Sequence, residues 1–112
     1  MNDIVTEQRD DLTLVKLAGE VDLSWSARVR EAILEALETR SVGVDLAAVS
    51  YIDSSGIAAL VEGLQTARDA ERRFVLIATS LPVLAVLELA RLDRVFTLLP
   101  DVGSALRPAE VG

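Results

Sequence analysis

The sequence predicts an α/β fold: a small sheet, parallel in its centre, crossed and flanked by helices. Short segments rich in Val, Ile and Leu alternate with longer stretches whose apolar residues recur at helical spacing. The elements follow the order hairpin, helix, strand, helix, strand, helix, strand, helix, which calls for crossover connections between parallel strands. The 112 residues, 51% of them hydrophobic, fit a single domain over 1–112 with its core at about 4–106.

The opening hairpin is read from Ile4–Thr6 and Leu12–Leu17, with the polar stretch Glu7–Asp11 between them. Gly19 is expected to end the second strand. After Glu20-Val21-Asp22-Leu23, either Asp22 or Ser24 can cap a helix whose buried face is Trp25, Val29, Ala32, Ile33, Ala36 and Leu37. Arg28, Glu31, Glu35 and Glu38 lie opposite. Val42, Val44 and Leu46 read as a short buried strand, and Ala47–Tyr51 as a loop into Ile52-Asp53-Ser54-Ser55-Gly56. The next helix runs to about Asp69 and buries Ile57, Leu60, Val61, Leu64 and Ala67. Arg73–Ala78 is a strand; Thr79 or Ser80 caps a third helix that carries Pro82 in its first turn. Val95–Leu98 is a last strand, Pro100 a stop, Asp101–Leu106 a short helix and Pro108–Gly112 a loose tail.

Composition removes several chemistries. With no Cys and no His the chain lacks thiolate nucleophiles, the usual general base and the commonest metal ligands, so no metal or cofactor is expected. Eighteen acidic residues against 11 basic ones give a net charge of −7, which repels nucleic acid and anionic membranes. The longest apolar run, Leu81–Leu87, contains Pro82 and falls far short of the roughly 20 residues of a membrane span. Met1-Asn2-Asp3 carries no basic targeting region, so a soluble cytoplasmic protein without membrane insertion is expected.

In such a sheet functional groups gather where strands end and helices begin, here Gly19–Ser24 and Asp53–Gly56. A serine in a first helical turn lies beside unpaired N–H donors and the positive end of the helix dipole, where a phosphate can be held. Spacing alone leaves two readings open: a phosphorylation site, or a cap followed by ordinary first-turn residues. Gly56, Ala59 and Gly63 form a small-residue stripe that suits either close internal packing or a flat docking strip. Asp22 reads as a cap and Trp25 as core. Asp53 as a metal-assisted phosphoacceptor is rejected, because Asp10 and Asp11 precede the central strand and no lysine follows Lys16.

Leu17-Ala18-Gly19-Glu20-Val21-Asp22, Val44-Asp45-Leu46 and Tyr51-Ile52-Asp53-Ser54-Ser55-Gly56-Ile57 together resemble the STAS domains, over about residues 4–106. The resemblance implies a mixed sheet of four or five strands flanked by helices. For the stand-alone anti-sigma factor antagonists it also implies partner switching without catalysis by the domain. The serine after the aspartate, here Ser54, is phosphorylated by an anti-sigma factor that is a serine kinase, and the phosphorylated antagonist lets go. The implied docking residues are Asp22, Asp53, Ser54, Ser55, Gly56 and Ala59. Ile57–Leu60 and Leu89–Asp93 are also similar to the STAS subunits of bacterial lipid-transport ABC complexes, whose partner would be the transporter ATPase. Many family members carry glycine before the leucine where this chain has Ala90-Arg91-Leu92, so a different turn is expected there.

Overall fold

The computed structural model describes residues 2–106. Its elements are β1 (Asp3–Arg9), β2 (Leu12–Val21), α1 (Ser26–Leu37), β3 (Ser41–Ile52), α2 (Ser54–Asp69), β4 (Phe74–Ile77), α3 (Leu81–Leu89), β5 (Thr97–Leu99) and α4 (Val102–Leu106). The five strands lie in the order β1-β2-β3-β4-β5; β1 is antiparallel to β2, and every other pair is parallel. The tail expected at Pro108–Gly112 lies outside the described residues.

Alternation along the strands divides the core. Val15, Val42, Val44, Leu46 and Leu76 face α1, α2 and α3, whose Val29, Ile33, Leu60, Val83 and Leu87 are buried with them. Leu12, Leu14, Val75 and Ile77 face the other way, against Ala105 of α4. Burying each such Leu, Ile or Val side chain stabilises the fold by roughly 2 kcal/mol, so the helices are held by packing more than by their own propensities. Among the described residues no helix is long and apolar enough to cross a membrane.

Several boundaries differ from the sequence reading, each for a local reason. The first strand runs past Thr6 to Arg9, because Glu7, Gln8 and Arg9 still pair with Leu14, Thr13 and Leu12. Gly19 does not end β2; it sits inside the strand at φ 106°, beside register slips at Lys16/Ala18 and Gly19/Glu20. This is a bulged ladder, and glycine supplies the positive φ. The expected loop Ala47–Tyr51 is the second half of β3. There β3 has lost β4, whose pairing stops at Asp45, and holds only β2. The Asp45 carboxylate accepts the Ala47 N–H at 3.0 Å. The slips turn the buried positions to Leu46, Val49 and Ile52, a spacing that hides a strand from a period-two search.

The last strand begins at Thr97, because the Val95 and Phe96 N–H groups are turned back onto the Leu92 carbonyl. Ser80 does stand at the start of α3, but its hydroxyl donates to the Val49 carbonyl at 2.6 Å instead of capping the helix. The turn after α3 keeps a left-handed residue without glycine: Arg91 takes φ 61°, and the Leu92 N–H closes onto the Leu87 carbonyl at 2.7 Å.

Candidate functional site

β2 and β3 end side by side, with Val21 opposite Ile52 and the Asp53 N–H donating to the Val21 carbonyl at 3.1 Å. Asp22 and Asp53 therefore leave neighbouring strands at one edge of the sheet, and the two expected functional segments meet there. The aspartates play different parts. The Asp22 carbonyl accepts from Trp25 and Ser26, while its carboxylate accepts from the Ser24 N–H at 3.0 Å and hydroxyl at 2.6 Å. It closes the turn before α1 and does not cap the helix, nor does Ser24: α1 starts at Ser26, behind Trp25, with no side-chain cap.

Asp53 is a true N-cap. Its backbone is extended, and one carboxylate oxygen accepts from the Ser55 N–H at 2.9 Å, the Gly56 N–H at 3.1 Å and the Ser55 hydroxyl at 2.6 Å. The Ser55 hydroxyl is the main cause that holds the Asp53 carboxyl below its ordinary range; the Gly56, Ser55 and Leu23 backbone N–H groups add to it against a partly opposing burial. Asp53 is thus ionised at neutral pH.

The two serines are separated by this geometry. The Ser55 side chain is half-buried and spent on Asp53. Ser54 is exposed, and its hydroxyl makes no hydrogen bond among the described residues. The expected ring of unpaired donors around it is corrected: Asp53 takes the Ser55 and Gly56 amides with its carboxylate and the Ile57 amide with its carbonyl, at 3.0 Å. The electropositive helix end is already occupied by an anion of the chain itself.

Gly56 and Ala59 are buried, so they set the helix height and offer no side chain at the surface. A Cβ on Gly56 would lie 2.9 Å from the Val21 carbonyl oxygen, and one on Gly63 would lie 2.8 Å from Ile33 and from Phe74. The small-residue stripe serves close internal packing. Three exposed apolar side chains escaped the sequence reading. Leu23 and Tyr51 are 78% and 49% exposed beside the Asp22 and Asp53 turns, and Leu81 opens α3 one residue after the Ser80 anchor on Val49. Leu23 sat in a link without periodicity and Tyr51 in a supposed loop, so neither carried a signal.

Among the described residues no group of three or more His, Cys, Asp or Glu side chains is placed to hold a metal. A model of the family described as "STAS domain" matches residues 3–105. An anti-sigma factor antagonist from Mycobacterium paratuberculosis superposes with a TM-score of 0.82 at 24% identity, covering 95% of this chain and 92% of that one. The antagonist SpoIIAA in its unphosphorylated form gives 0.80 at 18% identity, covering 93% of both chains. Bacillus SpoIIAA in its phosphorylated form gives 0.75 at 18% identity over 93% of this chain and 96% of that one. The described residues, five strands with a single antiparallel pair at one edge and four helices, form the mixed-sheet fold that these superpositions match.

Proposed function

The chain belongs to the STAS domain family, and from that premise we propose that it is an anti-sigma factor antagonist. In this reading it binds an anti-sigma factor that is also a serine kinase, and phosphorylation of Ser54 releases it. The observation that carries the reading is the exposed Ser54 hydroxyl at the start of α2, unbonded among the described residues, on a sheet edge whose turns also expose Leu23 and Tyr51. The names of the structural neighbours support it, one of them described in both phosphorylation states.

The domain is the substrate. Asp53 spends its carboxylate on Ser55 and its neighbouring amides, so no base is hydrogen-bonded to Ser54; the kinase must supply the base, the metal and the nucleotide. Before transfer, the site offers a small neutral hydroxyl, with exposed Ala58 one turn further along α2 and exposed Leu23 and Tyr51 in the adjoining segments. After transfer, the serine oxygen bears a phosphoryl group of about −1.5 to −2 charge. The Ser55, Gly56 and Ile57 amides are engaged with Asp53 and do not absorb that charge. The phosphate stands beside an ionised carboxylate and projects into the docking surface, where like charge and lost desolvation both oppose rebinding. Docking then rests on Ser54, Leu23, Tyr51, Asp22 and the rim of Ser55, with Gly56 and Ala59 acting only through the position of the helix. A cytoplasmic location follows from such a partner.

Affinity capture from the native cytosol, with the wild-type chain and with Ser54→Asp in parallel, tests this. The expected result is an anti-sigma factor with a kinase domain, retained by the wild type and lost with Ser54→Asp. Recovery of a transporter ATPase with its permease and no kinase overturns the proposal in favour of the lipid-transport role.

A further inference from the structure

The pole of the sheet opposite Ser54 collects positive charge in a chain whose net charge is −7. A turn after α2 builds it. Glu71 takes φ 58°, the Glu71 N–H donates to the Arg68 carbonyl at 3.1 Å, and the Arg72 N–H donates to the Ala67 carbonyl at 2.8 Å. This left-handed closure folds Arg72 and Arg73 back toward Arg68. The Arg73 amide is then fixed on the Ser41 hydroxyl at 2.9 Å, and its carbonyl on the Val42 N–H at 3.0 Å.

Arg68, Arg72 and Arg73 line one cavity of about 390 Å³, together with Leu64, Val95 and Ser104. None of the three guanidinium groups is paired with a carboxylate among the described residues. Arg73 donates to the Ala105 carbonyl at 2.7 Å and Arg72 to the Glu38 carbonyl at 3.2 Å, both neutral acceptors. The Arg72 Nε is buried and has no hydrogen-bond partner. Asp69 and Glu71, next to them in sequence, form no ion pair with any of the three. Arg68 and Arg73 are exposed and Arg72 is half-buried, so the three guanidinium groups converge on one open concavity with one buried N–H left unmet, and their planar forks suit phosphate or carboxylate oxygens. The remaining wall is mixed: Leu64 and Val95, the latter 42% exposed, give it an apolar side, and Thr97 and Ser104 a polar one.

We propose that this cleft binds a small amphiphilic anion, its phosphate or carboxylate head on Arg68, Arg72 and Arg73 and its apolar body against Leu64 and Val95. The site is independent of Ser54 and stands whether or not the switching role does.

The test is an amide chemical-shift titration of the full chain with hexyl phosphate, hexanoate, inorganic phosphate and 1-hexanol. Hexyl phosphate or hexanoate is expected to saturate shifts at Arg68, Val95 and Thr97, and the tighter of the two assigns the head group. Inorganic phosphate should bind about tenfold more weakly, and 1-hexanol should leave these amides unmoved. Arg68→Gln, whose side chain is exposed and bonds nothing among the described residues, should weaken the binding by about tenfold with an otherwise unchanged spectrum. Arg28→Gln, on α1, should leave it intact. Equal binding of 1-hexanol, shifts centred elsewhere, or an Arg68→Gln chain that binds like the wild type would each overturn the assignment.

Discussion

Replacing Gly56 by alanine should destabilise the domain, although a glycine-to-alanine change in an exposed helix interior gains roughly 1 kcal/mol. The new Cβ would lie 2.6 Å from Ile52 Cγ1, 2.8 Å from Val21 Cγ1 and 2.9 Å from the Val21 oxygen. The side chains can give a little. The carbonyl is held, because it accepts the Asp53 N–H that seats the start of α2. Overpacking against a fixed backbone atom falls near the upper end of about 1–3 kcal/mol, so after the helical gain a net loss of about 1–2 kcal/mol remains. Gly103→Ala is the control: it is also helical, but its nearest atom is Asp101 Oδ1 at 3.4 Å, and it should be neutral or stabilising. Thermal unfolding followed by circular dichroism reads the difference, since about 1 kcal/mol moves Tm by roughly 4–8 °C in a domain of this size. A Gly56→Ala protein as stable as the wild type, or more so, would refute the close approach on which the placement of Ser54 rests.

Arg91→Gly should stabilise the chain by about 1 kcal/mol, by relieving a non-glycine residue at φ 61°, as read from urea midpoints. Asp53 titrates below its ordinary value of 3.8, so its stabilisation is fully present above that value and is lost as pH falls through the lower folded value. Asp53→Asn should therefore be less stable than the wild type at pH 7, with the gap narrowing below about pH 4; a constant gap in pH-dependent melting would contradict this. Leu23→Ser removes a side chain that is 78% exposed, and should weaken partner binding by about tenfold or more at unchanged Tm, measured by calorimetry and thermal melts.

How much the sequence revealed depended on whether a residue's role was local. Asp53 was legible as a cap because an aspartate before a helical apolar period satisfies its own neighbours' amides. The faces of α1 and α2 were legible from Val29, Ile33, Leu60 and Leu64 for the same reason. The second half of β3 was hidden, because two bulges and one-sided pairing space its buried residues in threes. Asp22 misled because its carboxylate bonds Ser24 and closes a turn one step before the helix. Gly56 and Gly63 advertised close packing, but only Val21, Ile33 and Phe74, distant in sequence, reveal that the crowding is internal. Leu23 and Tyr51 could not be seen as surface, since exposure is a property of the assembled sheet edge. The arginine cleft depends on a left-handed Glu71 that no propensity predicts.

The most direct measurement is phosphate mapping joined to affinity: incubate the wild type, Ser54→Ala and Ser55→Ala with the captured kinase and ATP, locate the phosphate by mass spectrometry, and measure rebinding. Phosphate on Ser54 in the wild type and in Ser55→Ala, none in Ser54→Ala, and at least about tenfold weaker rebinding of the modified chain are predicted. Phosphate on Ser55 or nowhere, or a phosphorylated chain that rebinds as tightly as before, would contradict the switch.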